Sequence, residues 1–287
     1  LPTLNYTSDE LREEIYRGEN SVIKKWLKPP YSIDGWRFDV ADVMARNNEI
    51  QLHHEVWSEI RKSIKEVNPE AYILAEDWGD CAEFLNGDEW DSPMNYFGCG
   101  RPVRQFVGEP DLFNLRTDAL ANVNYKMTAK DLAARITEHL SKLPTVIQEV
   151  QFNLFDSHDV TRLHNHPNVK WEEYRGAAAM LFTLPGATNM YYGDEAGIDG
   201  STEFTIGCRY PMPWGTDFEQ SEYYKLYQTL AHLKKENEAL IDGGFKIISS
   251  NDYVIAYARF TENQTWITVC STDLETREVI IPIKAYG

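Results

Sequence analysis

Apolar residues along the chain fall either in short continuous runs or at positions three and four residues apart. The run Ile33–Val40 predicts a strand that ends in polar residues, and Ala71–Ala75 predicts a second strand that ends at Glu76. An amphipathic helix is predicted between them from Trp57, Ile60, Ile64 and Val67. This helix stops at Asn68-Pro69, because the residue before a proline disfavours helical backbone. The segment is therefore one strand-then-helix unit.

The same alternation continues further along the chain. Strands are predicted at Ser92–Tyr96, Phe152–Phe155 and Asn189–Tyr192. Helices are predicted from Thr128, where Asp131 completes a capping-box pattern, at Trp171–Leu184, and from Tyr223 to Lys235. Five strand-then-helix units predict an α/β fold with a parallel sheet. A doubly wound sheet and part of a (β/α)₈ barrel both satisfy this pattern.

The pattern changes after about residue 243, where strand-like runs follow one another without helices. These runs are Phe245–Ile248, Tyr253–Phe260, Thr265–Cys270 and Val279–Ile283. They predict a small antiparallel β module. We therefore expect two domains, an α/β part at residues 1–242 and the start of a β-sandwich domain at 243–287.

Composition limits the classes of function. The 287 residues include 28 Lys and Arg against 45 Asp and Glu, a net charge of −17, and 43% are hydrophobic. This apolar content excludes a disordered chain, and the acidic balance disfavours nucleic acid as a partner. A membrane partner is not expected, because no apolar run approaches about 18 residues. The four cysteines are widely scattered, without metal-ligand spacing, and are interpreted as unpaired thiols.

Carboxylates follow four of the predicted strands: Asp39, Glu76, Asp159, and Asp194 with Glu195. The carboxyl ends of parallel strands meet at one face, where barrel enzymes keep their chemistry. We therefore expect these side chains to converge. A single Asp at a strand end is usually a turn residue, but several in the same place, two of them beside Arg37 and His158, favour an active site.

Three of these segments resemble a known family. The segments Ile33–Val40, Tyr72–Trp78 and Phe155–Asp159 are similar, in order and spacing, to the second, third and fourth conserved segments of the α-amylase family, glycoside hydrolase family 13. Leu1–Asn5 is similar to an extra segment of the subgroup that contains neopullulanase, cyclomaltodextrinase and maltodextrin glucosidase. The resemblance implies part of a (β/α)₈ barrel, about strands 4 to 8, followed by a truncated antiparallel β domain.

The resemblance also implies a reaction. It is the retaining hydrolysis of α-1,4-glucosidic bonds in maltodextrins, cyclodextrins or related α-glucans, through a glycosyl-enzyme intermediate. By resemblance, Asp39 is the nucleophile, Glu76 is the acid and then the base, and Asp159 holds sugar hydroxyls. The expected substrate-binding residues are Arg37, His158 and Trp78. Arg37 lies two residues before Asp39 and hence on the same side of the strand, where it can orient the nucleophile.

The other aromatic and histidine residues that we considered are interpreted as structural and not as functional residues. Trp214, Tyr96 and Phe97 are interpreted as packing residues, His53 and His54 as solvated or capping residues without metal-binding partners, and His164 and His166 as loop residues. No cofactor is expected. The resemblance leaves room for a structural calcium ion, which the sequence does not indicate.

The family's first conserved segment and the first barrel strands are absent from these residues, so the chain reads as a C-terminal fragment. We expect the missing part to come from another chain or copy, as a complement or a homo-oligomer, or the fragment to be inactive. The expected partner is an α-glucan oligosaccharide. The compartment stays open, although the subgroup resemblance favours the cytoplasm.

Two other classes of function compete with this hypothesis. A non-catalytic, sugar-binding relative would have lost one of Asp39, Glu76 and Asp159, and all three are present. An enolase-like enzyme would hold Mg²⁺ with strand-end acids and would need a Lys or His base at a strand end. No predicted strand ends in Lys, and His158 adjoins an acid. Loss of activity in a chelator would favour the metal enzyme.

Overall fold

The computed structural model of the protein describes residues 3–110, 126–203, 206–276 and 278–283. The helices are α1 (Asp9–Arg12), α2 (Val22–Leu27), α3 (His53–Val67), α4 (Arg101–Val107), α5 (Ala129–Ser141), α6 (Thr145–Glu149), α7 (Trp171–Thr183), α8 (Glu222–Glu236) and α9 (Glu238–Ile241). The strands are β1 (Gly35–Phe38), β2 (Arg46–Asn47), β3 (Ile50–Gln51), β4 (Tyr72–Ala75), β5 (Ser92–Pro93), β6 (Phe152–Asn153), β7 (Ala187–Thr188), β8 (Gly244–Ser250), β9 (Val254–Phe260) and β10 (Thr265–Ser271). Within the described ranges, no helix has both the length and the apolar character needed to span a bilayer.

The chain divides into two compact units. The first unit contains Leu1–Asn95 and Lys142–Phe152, and the second contains Tyr96–Ser141 and Asn153–Gly287.

A parallel sheet in the order β1-β4-β5 organises the first unit. Strand β1 pairs with β4 so that Phe38 lies opposite Ala75. The next residues on the two strands are Asp39 and Glu76, and the Glu76 N–H donates to the Phe38 carbonyl at 2.8 Å. This register therefore places two of the predicted acids side by side at the carboxyl end of the sheet.

Helix α3 forms the connection from β1 to β4, as the apolar spacing predicts. Its residues Trp57, Ile60 and Ile64 are fully buried in the core of the first unit. The helix ends at Val67, directly before Asn68-Pro69. The predicted strand-then-helix-then-strand unit is thus confirmed.

Gly35 allows β1 and β4 to approach each other closely. A Cβ atom at this position would lie 2.3 Å from the Tyr72 carbonyl oxygen, which is a steric clash. A larger residue would push the two strands apart and displace the residues that follow them. Gly35 therefore contributes to the placement of Asp39 and Glu76.

The second unit combines helices with an antiparallel sheet in the order β10-β9-β8. Helix α5 packs against β8 and β9, and α7 packs against β10. The predicted capping box at the start of α5 is present: Asp131 N–H donates to the Thr128 hydroxyl at 3.1 Å, and Thr128 N–H donates to the Asp131 carboxylate at 3.3 Å. The domain boundary between residues 242 and 243 stays a prediction.

Two predicted strands are wrong. The strand expected at Asn189–Tyr192 lies earlier, at Ala187–Thr188, because the chain turns from Tyr192 to Gly197 around a buried Asp194. Residues 279–283 form no strand, although most of them are apolar. Ile280 and Ile283 are exposed there, and a strand needs a pairing partner that the described residues do not supply. The predictions at Ser92–Tyr96 and Phe152–Phe155 shorten to two residues each.

Candidate active site

Strand β1 carries the first part of the candidate site. Arg37 lies in β1, and Asp39 follows the strand, with its side chain 76% exposed. The Arg37 guanidinium forms an ion pair with Asp39 through Nη1. Arg37 Nη2 lies 3.3 Å from a carboxylate oxygen of Glu76. One guanidinium therefore contacts both Asp39 and Glu76.

Glu76 is the more enclosed of these two acids. Its side chain is 12% exposed, at the end of β4. Oε2 accepts a hydrogen bond from the Val40 N–H at 2.9 Å, and Oε1 accepts one from the Trp78 indole N–H at 3.1 Å. These donors and Arg37 fix the orientation of the carboxylate, while Asp39 remains open to solvent.

Val40 reaches Glu76 only because its backbone takes an uncommon conformation. Its φ is 46° and its ψ is 49°, in the left-handed region that a β-branched residue rarely adopts. Such strain costs about 1–3 kcal/mol and is concentrated at functional sites. Here it turns the chain directly after Asp39 and aims the Val40 N–H at Glu76.

His158 and Asp159 form a second group of polar residues, in the second unit. His158 Nε2 lies 3.0 Å from Asp159 Oδ2, and Arg209 Nη2 lies 3.2 Å from Asp159 Oδ1. The Asp159 N–H donates to the Ser157 hydroxyl at 3.1 Å. Asp159 is thus held between two cationic or polar partners, each on a different carboxylate oxygen.

A buried ion-pair network lies close to Asp159 in the chain. Asp156 and Glu109 both pair with the guanidinium of Arg104, and the Leu163 N–H donates to Asp156 at 3.0 Å. Burial raises the pKa of Asp156 to about 6, although Arg104 opposes the shift. This network fixes the backbone on both sides of Asp159 in a dry environment.

Asp194 does not join an exposed group of acids. Its side chain is buried and pairs with Arg162, and burial raises its pKa well above the ordinary value. Glu195 instead accepts a hydrogen bond from the Gly193 N–H at 2.8 Å. Of the acids expected to converge, Asp39 and Glu76 belong to the first unit, and Asp159 and Asp194 belong to the second. Asp194 has a structural role in its turn.

Comparison with known proteins identifies the family. The family model described as alpha amylase, catalytic domain, matches residues 1–212. The chain belongs to this family.

Similar proteins carry names from the predicted subgroup. A cyclomaltodextrinase from a Bacillus species is 32% identical over 95% of this chain and 44% of its own length. Neopullulanase 2 from Thermoactinomyces vulgaris is 28% identical over 100% of this chain and 44% of its own length. The chain thus spans about 44% of these relatives. The resemblance to the α-amylase family and its cyclomaltodextrinase and neopullulanase subgroup is confirmed.

Solved structures agree with the family assignment. The native debranching enzyme of Nostoc punctiforme is 29% identical and superposes with a TM-score of 0.75, over 92% of this chain and 51% of that one. A cyclic α-maltosyl-(1→6)-maltose hydrolase from Arthrobacter globiformis is 26% identical, with a TM-score of 0.74 over 92% of this chain and 52% of that one. The predicted α/β fold class is confirmed.

Sequence reasoning missed two contacts of this α-amylase-family chain. Arg209 lies in the segment Cys208–Trp214, which adds to the family resemblance, yet its contact with Asp159 joins residues 50 positions apart. The second contact is the hydrogen bond from the Val40 N–H to Glu76, which needs a positive φ at Val40. The sequence gives no sign of this conformation, because glycine is the usual residue at positive φ. Hydrophobic periodicity reveals neither contact, because each contact joins residues that are far apart in the sequence.

The expectations for Tyr96, Trp214 and His164 have different outcomes. Tyr96 is buried and donates to Ser157 at 2.8 Å, so its packing interpretation is confirmed. Trp214 is 78% exposed and contacts the ring of Phe218, so it packs in a surface loop and not in the core. His164 lies in a short 3₁₀ turn instead of an open loop, and its side chain is only 7% exposed, because Tyr174 and Tyr223 cover its ring.

His53 and His54 acquire a partner that the sequence analysis did not find. Together with Glu83 they form a group of residues whose ligand atoms could hold a metal ion. The sequence analysis did not find this candidate partner, because Glu83 comes from a turn 30 residues further along the chain. Burial lowers the pKa of His53, with further contributions from Arg46 and His54.

Proposed function

We propose that the protein is a retaining glycoside hydrolase that cleaves α-1,4-glucosidic bonds in maltodextrins, cyclodextrins or related α-glucans. The observation that carries the proposal is the contact of Arg37 with both Asp39 and Glu76, at the ends of paired parallel strands. Glycoside hydrolysis of this kind needs two carboxyl groups with different roles. The family membership and the names of the similar proteins support the same substrate class.

Asp39 is proposed as the nucleophile. It is the more exposed acid, and its ion pair with Arg37 orients the carboxylate that attacks the anomeric carbon. The attack forms a covalent bond between Asp39 and the sugar while the bond to the leaving oxygen breaks.

Glu76 is proposed as the acid that protonates the leaving oxygen. It then takes the proton from the water that releases the sugar from Asp39. Its enclosed position beside the Trp78 indole supports a role in which bulk water does not compete for the proton. Trp78 is proposed to stack on a leaving-group sugar.

Asp159 is proposed to hold sugar hydroxyls, with His158 as a second donor to the sugar. Its support is the pair of contacts from His158 and Arg209, which fix the carboxylate. The reaction needs no cofactor in this scheme, since the two carboxyl groups supply the proton and the nucleophile.

The fold is proposed as part of a (β/α)₈ barrel, about strands 4 to 8, with residues 1–242 in the barrel and 243–287 in an antiparallel β domain. The parallel pairing of β1, β4 and β5 supports the barrel part. The antiparallel pairing of β8, β9 and β10 supports the second part. A second chain or a second copy is proposed to complete the site.

The test is an assay of the intact gene product and of these 287 residues on maltotriose and β-cyclodextrin. Asp39→Asn should abolish turnover and leave sugar binding intact, because the amide cannot attack the anomeric carbon. Glu70→Gln is the matched control, since Glu70 is an exposed acid before β4, at the opposite end from Glu76. Full turnover by Asp39→Asn would remove Asp39 from its proposed role.

A further inference from the structure

The start of helix α3 carries a group of metal-binding side chains in the first unit. His53 and His54 are the first two residues of α3, and Glu83 lies in the 3₁₀ turn Ala82–Phe84. One ligand atom of each residue lies within 4.8 Å of the other two. None of these residues has a role in the proposed hydrolysis.

A buried carboxylate contacts the imidazole ring of His54. Glu89 is 4% exposed, and its Oε1 lies 2.7 Å from His54 Nδ1. In the neutral imidazole tautomer that donates Nδ1–H to this carboxylate, Nε2 keeps a lone pair that can bind a metal ion. Histidines that bind metals in proteins are oriented by a carboxylate in this way.

His53 is also available as a donor. Its Nδ1 atom is buried and has no hydrogen-bond partner among the residues that the structure describes. The rings of His53 and His54 lie side by side, with centroids 4.2 Å apart. His53 therefore keeps one ring nitrogen without a hydrogen bond to the described residues, beside the ring of His54.

Arg46 is the competing cation at this place. Its Nη2 lies 3.3 Å from Glu83 Oε1. A carboxylate has two oxygens, so Glu83 can keep this contact and offer Oε2 to an ion. The guanidinium charge nevertheless opposes a second cation, and its removal should strengthen metal binding.

We propose that His53, His54 and Glu83 bind a divalent ion of the zinc class, with Glu89 orienting His54. Two imidazole nitrogens and one carboxylate oxygen are a donor set that Zn²⁺ uses, with water in the fourth position. Mg²⁺ and Ca²⁺ prefer sites made of oxygen donors. The ion would tie the start of α3 to the turn at Glu83, which follows Trp78 in the chain. This proposal does not depend on the hydrolytic function.

The direct test is calorimetric titration of Zn²⁺ into the metal-free chain. One equivalent should bind, and Glu83→Gln should lower the affinity at least tenfold, because an amide is a poor ligand. His232→Asn is the matched control, since His232 is an exposed histidine paired with Glu236 on α8, and it should bind as the unmodified chain does. Equal affinity in Glu83→Gln and the unmodified chain would overturn the site. Glu83 is exposed, so circular dichroism of this variant should match the unmodified chain.

Two further variants separate a metal site from a structural cluster. Glu89→Gln should weaken Zn²⁺ binding by about 10 to 100-fold, the effect of losing a carboxylate behind a ligating histidine. Arg46→Gln should strengthen it severalfold, which a purely structural role of Arg46 would not produce. Weaker binding in Arg46→Gln would contradict the proposed geometry.

Co²⁺ in place of Zn²⁺ gives a spectroscopic test on the unmodified chain. A tetrahedral site with nitrogen and oxygen donors should show visible d–d absorption without a thiolate-to-cobalt charge-transfer band. That band would instead assign the ion to one of the buried cysteines and would overturn the proposal. Failure of the hydrolytic assay would leave these results unaffected, since each of them measures metal binding.

Discussion

Arg37 is the residue that Asp39 and Glu76 share as a partner. Its planar guanidinium contacts Asp39 through Nη1 and lies 3.3 Å from Glu76 through Nη2. A lysine ammonium is a single point charge and cannot hold two acids in this fork geometry.

Arg37→Lys should therefore lower kcat by on the order of 100-fold, the typical effect of removing one charge-stabilising donor. The measurement is steady-state hydrolysis of maltotriose by the intact gene product. Arg61→Lys is the control, because Arg61 pairs with Asp91 elsewhere in the first unit and should retain full activity. An unchanged kcat in Arg37→Lys would show that the double contact has no catalytic value.

His164 makes a separate contribution to stability that depends on pH. Burial lowers its pKa from 6.5 to about 4 in the folded protein, while the unfolded chain keeps the ordinary value. Between these two pH values the unfolded state binds more protons than the folded state does. A fall in pH therefore stabilises the unfolded state relative to the folded state. The free energy of unfolding should therefore be intact above pH 6.5 and should fall by on the order of 3 kcal/mol towards pH 4.

His164→Phe should remove this part of the pH dependence, because phenylalanine does not titrate and can pack against Tyr174 and Tyr223. Denaturant unfolding across the pH range measures it. His232→Gln, at an exposed histidine, should keep the slope of the unmodified chain. A parallel curve for His164→Phe would contradict the assignment to His164.

For individual residues, the sequence predicts which side chains belong to the site better than it predicts which residues they contact. Arg37 and Asp39 could be placed together, since they lie on one side of one strand. The contact between Asp159 and Arg209 spans 50 positions, and the cluster of His53 and His54 with Glu83 spans about 30. Such contacts depend on the tertiary fold, which local spacing does not specify.

Helix α5 shows how a local signal sets the boundary of an element. Thr128 and Asp131 satisfy each other's backbone N–H groups at its start. Thr128→Ala should lower the free energy of unfolding by about 1 kcal/mol, the usual cost of losing such a cap. Denaturant unfolding measures the change.

Thr137→Ala is the comparison within the same helix. Its hydroxyl donates back to the Ala133 carbonyl in the helix interior, a bond that adds little to helix stability. It should change the free energy of unfolding by less than Thr128→Ala. The reverse order would show that α5 does not depend on its amino-terminal cap.

The helices that could be predicted are those whose own residues carry a local sequence pattern. Helix α3 has an apolar stripe and a proline stop, and α5 has a capping box. Strand β7 and the segment 279–283 are different, because a strand is defined by its partner as much as by its own residues. Asp194 turns the chain through its buried pair with Arg162, and no local pattern announces that pair.

For the whole protein, the proposed mechanism fixes the stereochemistry of the product. Attack by Asp39 inverts the anomeric carbon, and attack by water on the intermediate inverts it again. An α-linked glucan should therefore give an α-anomer as its first product. If Glu76 instead activated a water molecule directly, a single inversion would give the β-anomer. Proton NMR of early maltotriose hydrolysis by the intact gene product separates the two outcomes, before mutarotation mixes the anomers. A β-anomer would exclude Asp39 as a covalent nucleophile while leaving the family and the substrate class unchanged.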